Sequence, residues 1–259
     1  MRQPETLLLF SSFLTLGWLA GILSPVAIGN RPARKGQFAV SECYLYNIER
    51  IAYTKALSLQ LDLHARCVSG EIPGILLLLE HDPVITMGVK TAEGNVLASP
   101  EILKREGVEL VRTDRGGDVT YHGPGQLVGY PIFHLREMRL DPHAYLSTVE
   151  QSIIDALAQF GLRGERNGPA GVWVGDKKVC SIGVAVRKWV TYHGFALNVD
   201  PDMRHFGFIN PCGLAAERIT SLRELLGTAP DMADVRQACA QGFERNFGIA
   251  FSPWPGGSL

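Results

Sequence analysis

The strongest constraint on this fold is a cluster of three β-type runs within residues 171–199. Residues 171–174, 179–186 and 192–199 are rich in Val, Ile, Trp, Tyr and Phe. The gaps between them are a few residues long and carry Gly175-Asp176 and Arg187-Lys188. Gaps so short leave no room for a crossover helix, so the three runs predict an antiparallel meander. Upstream, the pattern changes. Residues 48–66 carry Ile48, Ile51, Ala52, Leu59 and Leu63 near one helical face, and Ser69-Gly70 follows as a stop. Residues 74–80 (GILLLLE) form an apolar run of strand length, closed by His81-Asp82-Pro83. Ser99-Pro100-Glu101 and Asp141-Pro142 each read as a helix start, an N-cap followed by proline at the first helical position. The second of these helices carries Leu146, Val149, Ile153, Leu157 and Phe160 at helical spacing and ends at Gly161. Residues 109–112 and 127–135 read as strands flanking a glycine-rich segment, and residues 232–247 as the last helix. Helices and strands alternate without a strict strand-helix repeat. The expected class is therefore α/β of the mixed α+β kind, a mixed β-sheet with flanking helices.

Residues 6–30 contain no charge, and Arg31, Arg34 and Lys35 follow them. Three readings fit this stretch. It is an anchor whose flanking cations keep the rest of the chain cytoplasmic, a signal peptide ending near Ala27-Ile28-Gly29, or an over-called start preceding a GTG-encoded Val40. Membrane contact is expected only if residues 7–28 are retained. The chain is accordingly divided into an apolar extension, residues 1–39, and a single catalytic domain, residues 40–259.

Charge and cysteine usage narrow the function classes. Lys and Arg number 25 against 26 Asp and Glu, so there is no global basic field and no nucleic-acid partner is expected. Five cysteines, at 43, 67, 180, 212 and 239, are an odd and scattered set without Cys-x-x-Cys. That argues against a disulfide framework and a zinc ribbon and favours a reducing, cytoplasmic compartment. The histidines show no ligand spacing, and His64 with Cys67 supplies only half a zinc site. Neither a metal nor a cofactor is expected.

Three segments carry candidate chemistry. Residues 115–126 (RGGDVTYHGPGQ) place four glycines beside Arg115, Tyr121 and His122. Such a loop either brings backbone N–H groups close to a ligand or is an ordinary long hairpin loop, and it lacks the Gly-Lys-Ser/Thr of a P-loop. Lys178-Val-Cys-Ser-Ile-Gly183 starts a strand with a lysine and includes Cys180. Asn210-Pro-Cys-Gly213 sets Cys212 between a proline and a glycine, outside any periodic pattern. A thiol there becomes a nucleophile if a cation lowers its pKa from the free value of ~8.5.

Together with residues 80–88 (EHDPVITMG) and 193–198 (HGFALN), these segments resemble the lipoyl(octanoyl) transferases, the octanoyl-acyl-carrier-protein:protein octanoyltransferases. The resemblance implies the biotin/lipoate protein ligase catalytic-domain fold and a catalytic Cys212–Lys178 dyad. It implies an acyl pocket built from Arg115, Gly116, Gly117, Asp118, Val119, Thr120, Tyr121 and His122, from Ser181, Ile182 and Gly183, and from Gly194, Phe195 and Ala196. It further implies octanoyl-acyl carrier protein as donor. The implied acceptors are the lipoyl domains of 2-oxoacid dehydrogenase acyltransferase subunits and the glycine cleavage H protein. Position 180 is usually a smaller residue in that family and position 195 often Leu, which bears on chain-length preference. Lys90, Arg112, Arg187, Lys188 and Arg204 are candidates for docking an acidic carrier. His122 is expected either to orient substrate or to shape its loop. Two other readings are an ATP-dependent lipoate or biotin ligase, although the Gly-Arg-Gly-Arg type of run is absent, and a non-catalytic acyl or lipoyl-domain binding module.

Overall fold

The computed structural model describes residues 41–92, 94–210 and 218–256. A seven-stranded mixed sheet forms its centre. In chain order its strands are β1 (Ser41–Ile51), β2 (Gly74–His81), β6 (Gln126–Phe133), β7 (Gly171–Val174), β8 (Lys177–Arg187), β9 (Val190–Asn198) and β10 (Ile249–Pro253), arranged β10-β1-β2-β6-β9-β8-β7. A second sheet, β4-β3-β5, consists of β3 (Val84–Met87), β4 (Glu109–Arg112) and β5 (Val119–His122). The meander expected from residues 171–199 is present as β7-β8-β9. Its second turn lies one residue later than expected, at Lys188 and Trp189, with φ of 53° and 65°. Positive φ at both central positions is the two-residue hairpin geometry that matches strand twist.

Helix α1 (Tyr53–Val68) covers one face of the large sheet, and α3 (Pro142–Ala158) and α5 (Met232–Phe247), which follows the short α4 (Leu222–Leu226) in the chain, cover the other. Between them, residues 75–79 of β2 are completely buried. A strand packed on both faces needs a continuous apolar run rather than an alternating one, which is why residues 74–80 read as they do. Each such Leu or Ile contributes about 1.5–3 kcal/mol of burial. The proline-initiated helices form as expected. Asp141 accepts a bond from the Ala144 N–H at 2.8 Å at the start of α3, and Ser99 one from Ile102 at the start of the short α2 (Pro100–Arg105).

Two expectations are corrected. Residues 48–51 belong to β1 and not to the first helix, which begins at Tyr53. The three-residue spacing of Ile48 and Ile51 resembled helical periodicity. β1 instead pairs in parallel with both β2 and β10, and those pairings take its backbone hydrogen bonds. The glycine-rich segment is not loop throughout, since residues 119–122 form β5, antiparallel to β3. Among the described residues no helix is long and apolar enough to cross a membrane.

Candidate active site

The glycine-rich segment is held from beneath by one buried arginine. Arg115 donates from Nη2 to the Thr86 carbonyl at 2.7 Å and to Thr86 Oγ1 at 2.9 Å, and from Nε to Oγ1 at 3.2 Å. Gly116 N–H donates to the Val184 carbonyl on β8 at 3.0 Å, so the loop lies directly on the large sheet. At this crossing a Cβ on Gly183 would come within 2.7 Å of the Gly116 carbonyl, which explains the glycine. Asp118 accepts from its neighbour Val119 N–H and from Asn95 Nδ2, both at 2.7 Å.

His122 opens a buried polar relay. Gln126 donates both amide hydrogens, to the Tyr121 carbonyl at 3.1 Å and to Asn198 Oδ1 at 2.9 Å. Its Oε1 must therefore accept, and His122 Nδ1 donates to it at 2.7 Å. Thr86 Oγ1, already accepting from Arg115, has its own hydrogen left for His122 Nε2 at 3.5 Å. Burial pushes the His122 pKa well below its ordinary value, helped by nearby His81. Both ring nitrogens are engaged inside the protein, with Gln126 and Thr86. The relay continues as Asn198 Nδ2 donates to the Thr220 carbonyl at 2.9 Å. Thr220 N–H in turn donates to the Lys178 carbonyl at 3.0 Å. Thus the glycine-rich segment and the backbone of Lys178 are joined by one path of hydrogen bonds.

Lys178 sits near the start of β8, half-buried, with Nζ 5.6 Å from the centre of the Trp173 ring. A bulge in the β7–β8 ladder between Val172 and Trp173 re-aims the strand here, a distortion that sheets commonly place beside active sites. Gly171 makes room for the lysine. Its φ is 144°, and a Cβ there would lie 2.5 Å from Lys178 Cε and 2.2 Å from the Cys180 carbonyl. Arg218 lies 5.2 Å from the same Trp173 ring, so a second cation shares the lysine's aromatic neighbour. That cation was not anticipated from sequence, because nothing in the spacing of Arg218 and Trp173 announces their contact.

The remaining candidates divide between the two faces of the sheet. Ser181 pairs with Ala196 and Gly183 with Gly194, which puts these small residues on the face where Gly116 docks. Ile182 and Phe195 pair on the opposite face and belong to the core under α3 and α5, where Phe195 stacks on Phe243 at 5.6 Å. Val119 and Tyr121 point into a third apolar cluster, with the Tyr121 hydroxyl 2.8 Å from His205 Nδ1, and Thr120 pairs with Thr86. Gly117 has φ of 93°.

One group escaped the sequence reading. Asp114 accepts from the Tyr192 hydroxyl and from His193 Nε2 at 2.9 Å. Consecutive residues of a regular strand cannot reach one carboxylate, and φ of 56° at His193 breaks the alternation. The bond from His193 is the main reason the Asp114 pKa falls to about 2. The histidine in HGFALN was the available signal.

The cysteines sort themselves. Cys43, Cys67, Cys180 and Cys239 are all buried free thiols. Loss of hydration lifts the first two and Cys239 to about 12, and Cys180 higher still. None can supply a thiolate near neutral pH. Cys212 lies outside the described residues. Arg218, where the described chain resumes, leads directly into Ile219, which forms a parallel β-bridge with Lys178.

Comparison with known proteins agrees with this architecture. Residues 52–244 match the lipoyl protein ligase A/B catalytic domain. The chain belongs to that family. Three relatives named octanoyltransferase make the match at the level of sequence. The protein from Syntrophobacter fumaroxidans is 44% identical over 80% of this chain and 91% of its own length. That from Solibacter usitatus is 45% identical over 84% and 97%, and that from Chloroflexus aggregans 48% over 74% and 88%. Among solved structures, lipoate-protein ligase A bound with ATP superposes with a TM-score of 0.68 at 21% identity, covering 82% of this chain and 88% of that one. A bi-partite lipoate protein ligase from Thermoplasma acidophilum gives 0.67 at 21% identity, covering 82% and 86%. These likenesses show that the lipoyl protein ligase A/B family fold is the one described above.

Proposed function

We propose that this family member is an octanoyltransferase of protein lipoylation that works through a thioester on Cys212. Octanoyl-acyl carrier protein is the donor. The acceptor is the target lysine of lipoyl domains, those of 2-oxoacid dehydrogenase acyltransferase subunits and the glycine cleavage H protein. The supporting observation is the fate of the cysteines. Four of five are sealed in the core with raised pKa values, which leaves Cys212 as the thiol available for chemistry.

The reaction balances without ATP. The Cys212 thiolate attacks the donor's thioester carbonyl and a new C–S bond forms as the old one breaks; the carrier leaves as a thiol with the proton that Lys178 gives up, which leaves Lys178 neutral. The ε-amine of the acceptor lysine then attacks S-octanoyl Cys212. The C–S bond breaks as the amide forms, and the amine's proton passes to neutral Lys178. Protonated Lys178 favours the thiolate before the first step by its charge.

Mass spectrometry after incubation with octanoyl-acyl carrier protein tests this reading. The expected product is an octanoyl adduct on Cys212, labile to hydroxylamine, absent in Cys212→Ser and slow to form in Lys178→Ala. An adduct on Cys180 overturns the dyad. Lipoate-stimulated ATP–pyrophosphate exchange overturns the transferase in favour of a ligase.

A further inference from the structure

Octanoyl transfer asks Lys178 to part with a proton as the carrier thiol leaves and to take one back as the amide forms. A free lysine titrates at ~10.4 and a free thiol at ~8.5. The first transfer therefore runs against the ordinary order of the two groups, and the charges beside the lysine decide how readily it occurs.

Arg218 and Lys178 meet at one indole. The Arg218 guanidinium carbon lies 5.2 Å from the centre of the Trp173 ring, and Lys178 Nζ lies 5.6 Å from it. Trp173 is only 1% exposed, so little water screens charges set against it. The β7–β8 register places Trp173 opposite Lys178, and the bridge from Ile219 to Lys178 brings Arg218 alongside. The guanidinium is fixed by the β7–β8 turn, where Nε at 3.3 Å and Nη2 at 3.2 Å both donate to the Asp176 carbonyl. A carbonyl fixes a guanidinium without neutralising it. Among the described residues Arg218 makes no ion pair.

The carboxylates around Lys178 are mostly engaged elsewhere. Glu150, which accepts from Gly171 N–H at 3.2 Å, is paired with Arg166 at 3.0 Å. Glu165, on the segment bridged to Trp173, is paired with Arg163 at 3.1 Å. Glu224 accepts from the Thr220 hydroxyl at 2.8 Å. Asp176 and Lys177, both exposed in the turn, are opposite in sign. Once the Cys212 sulfur carries an acyl group it has no charge, while the cation at the shared indole stays. A like charge disfavours the protonated amine. Arg218 is itself solvent-exposed, which keeps the effect modest.

We propose that Arg218 is a positioning residue for proton transfer: its charge, held against the indole that Lys178 also contacts, favours release of the lysine's proton to the leaving carrier thiol and keeps the amine free to accept one from the acceptor lysine. The role in transfer rests on the octanoyl-transfer reading, whereas the coupling of the two side chains does not. Full-length Cys212→Ser protein, which has no thiolate at that position, is labelled with trace acetic anhydride between about pH 7 and 11. Tandem mass spectrometry then reads Lys178 and Lys177 separately. Arg218→Gln keeps a donor for the Asp176 carbonyl but no charge, and it moves the Lys178 midpoint up by about 0.5–1 pH unit and Lys177 by less than half as much. Arg218→Lys keeps the charge but not the paired donors, and it leaves the midpoint within about 0.3 unit. With Cys212 present, single-turnover carrier release at pH 7 slows about 3- to 10-fold in Arg218→Gln, the same shift read as a rate. An unmoved Lys178 midpoint in Arg218→Gln overturns the proposal. An equal rise in Arg218→Lys also overturns it, because the bonds to the Asp176 carbonyl and not the charge then set the lysine. Absence of an octanoyl adduct on Cys212 defeats the octanoyl reading and with it the role in transfer, while the labelling midpoints still decide the coupling.

Discussion

Asn198→Ala is the most direct way to probe the polar relay between the glycine-rich segment and Lys178. Asn198 is buried and makes two bonds of 2.9 Å, accepting from Gln126 and donating to the Thr220 carbonyl. Truncation leaves one Gln126 amide hydrogen and the Thr220 carbonyl without those partners. Each buried orphan costs about 1–3 kcal/mol, so a loss of about 2–4 kcal/mol is expected, discounted slightly for water entering the small space left behind. For a domain of this size that corresponds to a fall in melting temperature of roughly 4–16 °C. Because Thr220 N–H also holds the Lys178 carbonyl, acylation of the enzyme slows as well. Urea unfolding measures the first effect and single-turnover acylation the second. Asn198→Asp serves as the companion, since it still accepts from Gln126 but turns an anion toward the Thr220 carbonyl. A stability loss below about 0.5 kcal/mol in Asn198→Ala, with acylation unchanged, would refute the relay as a tie between the two segments.

Other outcomes follow from the same geometry. Thiol titration of the folded protein with an aromatic disulfide reagent yields one fast thiol, lost in Cys212→Ser, and five after denaturation; a second fast thiol in the native state would contradict the burial of the other four. Gly171→Ala forces Cβ against the Lys178 side chain and the Cys180 carbonyl, costing about 1–3 kcal/mol of stability and slowing acylation more than Ala at the unencumbered Gly161. Unfolding curves for the two variants make the comparison, and equal behaviour counts against the crowding. His81 is buried and titrates at about 4, because burial disfavours its charged form, against about 6.5 unfolded. The unfolded chain therefore binds the extra proton between these values, and stability falls as pH drops through that window, by about 3 kcal/mol from this group. His122 and His193 are lowered for the same reason and add to the slope. Chemical denaturation at pH 7, 6 and 5 checks it, and constant stability across that range excludes a buried neutral His81.

The meander, the apolar run of β2, the proline-capped helices and the last helix were legible because each is written in local spacing and turn chemistry. The division of the strands into two sheets was not. β3 and β5 are four residues each and lie in segments whose glycines, prolines and polar residues read as loop. The candidate site shows the same split. Arg115, His122 and Lys178 stood out in motifs, whereas Thr86 lies 29 residues from Arg115 and 36 from His122, Asn198 lies 72 from Gln126, and Arg218 lies 45 from the Trp173 ring it shares with Lys178, and none of the three carries a local signature.

Residue types and spacing by themselves determined the mixed α/β class and singled out the motifs, since periodicity, capping and glycine usage act over a few neighbouring residues. Only the tertiary structure decided which of those residues meet. It set Ser181, Gly183, Gly194 and Ala196 under the loop while turning Ile182 and Phe195 into the core, because a strand's side chains alternate and only pairing fixes which face is which. It also sealed four thiols away from water. Burial and long-range register are properties of the packed chain, and no short stretch of sequence contains them.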